Sequence, residues 1–174
     1  AGTACGAAVK ADGYGTGARE AAAALLSEGC PDFFVSTWSE AEALGPLPER
    51  VSLAVLHGVG PGDVDAAVHS TARPVLNTVE QVARWKDAAE DRPCDVMVDT
   101  GMNRLGLGVD DIACLDGLTI NTLHSHLACA DEDHDLNGTQ LQRFREVAST
   151  VSATRYSFAN SAGICLGRAY SFDL

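Results

Sequence analysis

The chain has 174 residues, 24 acidic against 12 basic side chains, and a formal net charge of −12. Hydrophobic residues make up 46%, enough for a sizeable core, which excludes a disordered chain. The acidic balance excludes a general binder of nucleic acid or of an anionic membrane surface, since both need a basic face. No apolar run approaches the ~20 residues of a membrane span, and no charged-then-apolar leader pattern opens the chain. The expected location is the cytoplasm.

Taken in chain order, short β-rich runs alternate with longer helical patterns. Ala7-Ala8-Val9 reads as the first strand, ending at Lys10 and a glycine-rich turn, and residues 17–29 as a helix stopped by Gly29 and Pro31. Phe33-Phe34-Val35 is the second strand. Ser39 with Glu42 reads as the capping box of the next helix. Val51 to Leu56 is the third strand, Asp63 to Val68 a short helix, and Pro74-Val75-Leu76 the fourth strand, after which Asn77 caps a helix reaching about Glu90. Cys94 to Val98 and Thr119 to Leu127 are strands five and six. Leu141, Phe144, Val147 and Val151 recur at helical spacing in a helix from about Asn137, and Tyr156-Ser157-Phe158 is strand seven.

Strands alternating with helices predict an α/β fold with a parallel sheet, either doubly wound or a TIM-type (β/α)₈ barrel. Polar residues cluster where strands end: Lys10, Thr37-Trp38, His57, Asp99-Thr100-Gly101, His126 and Asn160-Ser161. Recurrence at successive strand ends favours a ring of loops around one site, hence the barrel. With seven of eight strands the barrel is incomplete, and 174 residues fall short of the ~250 typical of that fold.

The six cysteines form no CxxC pair and most lie in apolar stretches, which predicts free, buried thiols in a reducing compartment. His124-Ser125-His126 has alternate-residue spacing that would suit chelation, but no further ligand stands at obvious spacing, so no metal is expected. Only Lys10 and Lys86 are lysines. Lys10 follows an apolar strand and precedes Asp12-Gly13-Tyr14-Gly15-Thr16-Gly17, a loop that lets backbone approach a ligand. A lysine there either snorkels to solvent or uses its amine. Such an amine condenses with carbonyls, above all that of pyridoxal phosphate.

Ala8-Val9-Lys10-Ala11-Asp12-Gly13-Tyr14-Gly15 resembles the cofactor-attachment motif of the alanine racemases. Val98-Asp99-Thr100-Gly101-Met102-Asn103-Arg104-Leu105-Gly106 is similar to a second signature of that family. Ser125-His126-Leu127-Ala128-Cys129-Ala130-Asp131 and Asn160-Ser161-Ala162-Gly163 resemble a third and a fourth, in the family's order. The resemblance implies one partial barrel domain over residues 1–174 that binds pyridoxal 5′-phosphate, in a homodimeric, cytoplasmic enzyme interconverting L- and D-alanine for cell-wall synthesis.

By the same resemblance, Lys10 matches the lysine that carries the cofactor and acts as one catalytic base. Tyr14 matches a hydroxyl on the cofactor phosphate. Arg104 matches the catalytic arginine that faces the cofactor's phenolic oxygen and the substrate carboxylate. His126 matches the histidine against the pyridine ring, and Asn160 and Ser161 match the phosphate loop. Three departures stand out. Thr16 replaces a common histidine, and Met97 replaces a lysine whose carbamate steadies the arginine. Nothing corresponds to the second base, a tyrosine from the partner's C-terminal β-domain. That domain is expected to be absent, Tyr170 to Leu174 resembles the run into the eighth strand, and the chain alone is expected to be inactive. The alternatives are a pyridoxal-phosphate barrel without racemase chemistry, a broad-specificity amino-acid racemase, or a decarboxylase on the same barrel.

Overall fold

The computed structural model describes residues 3–174. They form two compact units, Ala4–Val75 and Leu76–Leu174, the second joined by Thr3. In the first unit, β1 (Gly6–Ala8) leads into a single turn, α1 (Lys10–Gly15), and then α2 (Ala18–Ser27). β2 (Asp32–Val35), α3 (Trp38–Leu44), β3 (Ser52–Val55), α4 (Val64–His69) and β4 (Arg73–Leu76) follow, the last at the boundary. The second unit contains α5 (Val79–Ala89), β5 (Cys94–Met97), β6 (Ile120–His124), α6 (Asp135–Thr150) and β7 (Arg155–Ser157), with 3₁₀ turns at Val109–Leu115, Gly163–Leu166 and Arg168–Tyr170.

All seven expected strands form, and every ladder is parallel. In the first unit Ala7 lies beside Phe33, Phe33 beside Leu53, and Val55 beside Pro74. In the second, Met97 lies beside His124 and Leu123 beside Tyr156. Strand order within each unit is chain order, with no reversal of the kind that makes a doubly wound sheet. This is the progression of the TIM-type barrel.

In a parallel sheet of this kind both faces are covered, so strand residues are mostly apolar. Phe33, Val35, Leu53 and Val55 are buried in the first unit. Trp38 closes over them and donates from Nε1 to the Gly58 carbonyl at 2.8 Å. In the second unit β5 is buried along its whole length, and Phe144 of α6 stacks on Phe158 with ring centroids 4.9 Å apart.

Four local expectations change. The capping box of α3 is built by Thr37 and Glu40, not Ser39 and Glu42: Thr37 Oγ1 accepts from the Glu40 amide, and Ser39 lies inside the helix. The cap of α5 is Thr78, whose Oγ1 accepts from Gln81 N at 3.2 Å. Asn77 is instead buried, its own amide donating to Gln81 Oε1 at 2.8 Å. The amphipathic helix begins two residues early, at Asp135, because His134 Nδ1 accepts from the Leu136 amide. All six thiols are free, but only Cys94 is buried, while Cys5 and Cys165 are exposed. Partial burial raises the thiol pKa of Cys30 and Cys114. Among the described residues no helix is long and apolar enough to cross a membrane.

Candidate functional site

Strand β1 ends at Ala8, so Lys10 stands just beyond it, at the C-terminal edge of the first unit's sheet. Val9 stays tied to β2, its amide donating to the Phe34 carbonyl at 2.8 Å. The next residues depart from ordinary geometry. Ala11 (φ 50°, ψ 48°), Asp12 (52°, 50°), Gly13 (63°, 35°) and Tyr14 (56°, 34°) make one turn of left-handed helix. That conformation costs an L-residue about 1–2 kcal/mol, so its three non-glycine residues hold roughly 3–6 kcal/mol of strain. Strain of this kind is kept where a site requires it.

Local bonds hold the turn closed. Gly13 N donates to the Val9 carbonyl at 2.9 Å, and Gly17 N to the Asp12 carbonyl at 3.0 Å. Asp12 Oδ1 accepts from Ala18 N at 2.9 Å, supplying the cap at the start of α2. Lys10 is half-buried, Tyr14 is exposed, and neither has a hydrogen-bond or ion-pair partner among the described residues.

Arg104 sits on the excursion that follows β5. Asp99 Oδ1 accepts from Gly101 N and Met102 N, both at 2.8 Å, and this Asx turn starts the loop. The loop returns through Leu107, whose amide donates to Met97 O at 2.9 Å and whose carbonyl accepts from Asp99 N at 2.8 Å. Gly106 is required at the crossing. Its φ is 121°, and a Cβ there would lie 2.6 Å from Asp99 N. Met97 is buried beneath, its Cγ 3.1 Å from the same point. The residue in place of the expected carbamate is therefore apolar packing, and backbone bonds shape the loop instead. Arg104 is exposed and unpaired among the described residues.

His126 lies two residues past the end of β6, because the strand stops at His124. Its loop is held from behind by Gln140, a fully buried side chain of α6 that the sequence analysis did not single out. Gln140 Nε2 donates to the His126 carbonyl at 2.9 Å and to Thr100 Oγ1 at 3.2 Å. Its Oε1 accepts from Ala128 N at 2.9 Å. Thr100 Oγ1 also meets Ser125 Oγ at 2.8 Å, and Arg143 Nη1 donates to the Thr100 carbonyl at 3.0 Å. One amide thus joins the loops of Arg104 and His126. The only sequence signal for it is a glutamine one position before Leu141 on the buried face.

Asn160 and Ser161 follow β7. Asn160 Nδ2 donates to the Leu127 carbonyl at 3.2 Å, and its Oδ1 accepts from Gly163 N at 2.8 Å. Both ends of the amide are committed, so Asn160 shapes the loop. Gly163 packs closely: a Cβ there would lie 2.8 Å from Leu127 Cδ1. Ser161 is exposed, with a hydroxyl that has no partner among the described residues. His124 faces Asp95 inside the second unit, its Nε2 3.6 Å from Oδ2, rather than pairing with His126. Among the described residues no three His, Cys, Asp or Glu side chains gather as metal ligands would.

Comparison with known proteins covers the whole chain. The family model for "Alanine racemase, N-terminal domain" matches residues 1–174. An alanine racemase of Rhizobium meliloti is 41% identical over 95% of this chain and 47% of its own length. One from Acidiphilium cryptum is 41% identical over 95% of this chain and 50% of its own length. The crystal structure of the Bartonella henselae alanine racemase with covalently bound pyridoxal phosphate matches with a TM-score of 0.88 and 34% identity, covering 100% of this chain and 54% of that one. The chain therefore spans about half the length of the curated relatives it matches.

Proposed function

The chain belongs to the alanine racemase N-terminal-domain family, and from that premise we propose that residues 1–174 are a pyridoxal 5′-phosphate-binding, partial barrel domain of an alanine racemase. The whole enzyme would be cytoplasmic and homodimeric and would interconvert L- and D-alanine for cell-wall synthesis. The observation that carries this reading is Lys10, an amine without a partner among the described residues, placed between a strand end and a strained left-handed turn. The donor set suits an aldehyde bearing a phosphate. The first unit offers the Lys10 amine and the Tyr14 hydroxyl, the second the Arg104 guanidinium and the Ser161 hydroxyl, all without a side-chain partner among the described residues.

Bound there, pyridoxal phosphate supplies an electron sink for the negative charge left when an amino acid loses its α-proton. Lys10 would hold the cofactor through its amine, and that amine would take or return the proton at Cα on one face. The planar guanidinium fork of Arg104 would direct a carboxylate or phenolate oxygen. The Tyr14 hydroxyl, and that of Ser161 on the loop whose shape Asn160 fixes, would hold the phosphate. His126, its backbone held by Gln140, would support the ring. Racemisation needs a second proton donor on the opposite face, which none of these residues supplies. That group belongs to the full-length dimer.

The test is chemical trapping. The 174-residue chain is mixed with pyridoxal phosphate and reduced with borohydride, and the peptides are mapped by mass. A pyridoxyl group on Lys10, absent in Lys10→Ala, is the expected outcome. Labelling on Lys86, or undiminished labelling in Lys10→Ala, would refute the assignment.

A further inference from the structure

Glu40 accepts more than a helix cap requires. In an ordinary capping box the third helical residue returns one bond to the N-cap amide. Here Glu40 Oε2 accepts from Ser36 N at 2.6 Å and, more weakly, from Thr37 N at 3.4 Å. That leaves Oε1 free, and it accepts from Ala11 N at 2.9 Å. Ala11 is the residue after Lys10 and the first of the left-handed turn. Its amide lies past the β1 ladder, whose pairing with β2 ends at Ala8 and the Val9 amide. It also opens a helical turn, where N–H groups have no partner within the turn. Glu40 fills that vacancy from a different element, with a charge-assisted bond about twice as strong as a neutral one.

We propose that Glu40 is the positioning residue for Lys10: its carboxylate ties the backbone of the left-handed turn to the start of α3 and so fixes where the lysine amine stands. Glu40 does not touch the cofactor. It acts through Ala11, one peptide bond from Lys10. A single carboxylate shared between α3 and the turn couples the two elements, and the strain of the turn makes the coupling necessary. The sequence pattern obscured this, because Ser39-x-x-Glu42 overlaps Thr37-x-x-Glu40 and offers an equally good box. This inference rests on Lys10 being the cofactor lysine.

Three variants separate positioning from helix capping. Thr37→Ala removes the cap and keeps the strut. Glu40→Gln leaves one acceptor oxygen for three donors. Glu40→Asp keeps a carboxylate in the first turn of α3 but is one methylene short of Ala11. Amide hydrogen exchange on the cofactor-free chain is the first readout. Residues 10–15 should lose roughly tenfold in protection in both Glu40 variants and stay within about twofold of wild type in Thr37→Ala. The second readout is the rate of borohydride-trapped pyridoxyl transfer to Lys10. It should fall roughly tenfold in the Glu40 variants, and not in Thr37→Ala, whatever its loss in Tm. Equal exchange and equal trapping rates in the Glu40 and Thr37 variants would overturn the role given to Glu40. Absence of any adduct on wild-type Lys10 would instead overturn the functional reading on which that role depends.

Discussion

Replacing Gln140 by leucine tests whether a buried amide holds the second unit's functional loops. The side chains are similar in size, so packing around this fully buried position is largely preserved. What changes is hydrogen bonding. The Ala128 amide loses its acceptor and the His126 carbonyl loses its donor, whereas Thr100 Oγ1 keeps Ser125. Leaving the Ala128 amide without its acceptor costs about 1–3 kcal/mol, and losing the bond to the His126 carbonyl about 0.5–1.5 kcal/mol more. Burying hydrocarbon instead of an amide returns about 1 kcal/mol. The expected loss is therefore about 0.5–3.5 kcal/mol, a sizeable share of the 5–15 kcal/mol typical of a domain.

The chain itself supplies the probe. It has two tryptophans, Trp38 in the first unit and Trp85 in the second. Urea unfolding in a Trp38→Phe background follows Trp85 and hence the unit that contains Gln140. The control is Gln142→Leu. Gln142 makes only an exposed bond to Glu146 at 3.0 Å, worth a few tenths of a kcal/mol. The Ala128 amide should also exchange faster in Gln140→Leu alone. A Gln140→Leu midpoint equal to that of Gln142→Leu, with Ala128 still protected, would refute the reasoning.

Two further predictions concern the loops themselves. Gly106→Ala forces a Cβ to 2.6 Å from the Asp99 backbone at a φ of 121°, so the Arg104 loop must shift. Fast exchange at Asp99 and Leu107, with a lower Tm, is expected, and unchanged exchange at both amides would count against the close crossing. Asn160→Ala should lower Tm by a few degrees, because both ends of its amide are bonded, while Ser161→Ala should leave Tm alone and weaken pyridoxal-phosphate binding. Finding the reverse would mean that Asn160 is the direct ligand and Ser161 the brace.

The strands were legible because each is a short apolar run between turn residues, and a parallel sheet buried on both faces demands that pattern. Helix starts were less so. Asn77-x-x-Glu80 and Thr78-x-x-Gln81 differ by one residue, and only the burial of Asn77 at the end of β4 decides between them. The cysteines misled for a related reason. Apolar neighbours do not bury a thiol that precedes its strand, as Cys5 does, or sits in a surface 3₁₀ turn, as Cys165 does. The glycine-rich loop after Lys10 announced positive φ, but at its glycines. The structure adds Ala11, Asp12 and Tyr14, of which only Asp12 is a type that favours positive φ.

That difference bears on how the site is built. The residues proposed to face a ligand stood out by chemical type, because an amine, a guanidinium and hydroxyls at strand ends are few and conspicuous. Residues that hold the loops did not, because a glutamate in a first helical turn and a glutamine in an amphipathic helix are both commonplace. Yet the strained turn carries roughly 3–6 kcal/mol that must be offset nearby. Its offsets are bonds from Asp12 to α2 and from Glu40 to Ala11. The same logic recurs in the second unit, where Gln140 and Asn160 commit both ends of their amides to backbone and one buried hydroxyl. In each unit these bonds are made to backbone away from the exposed side chains. Lys10 in the first unit, and Arg104 and Ser161 in the second, are left with no side-chain partner among the described residues.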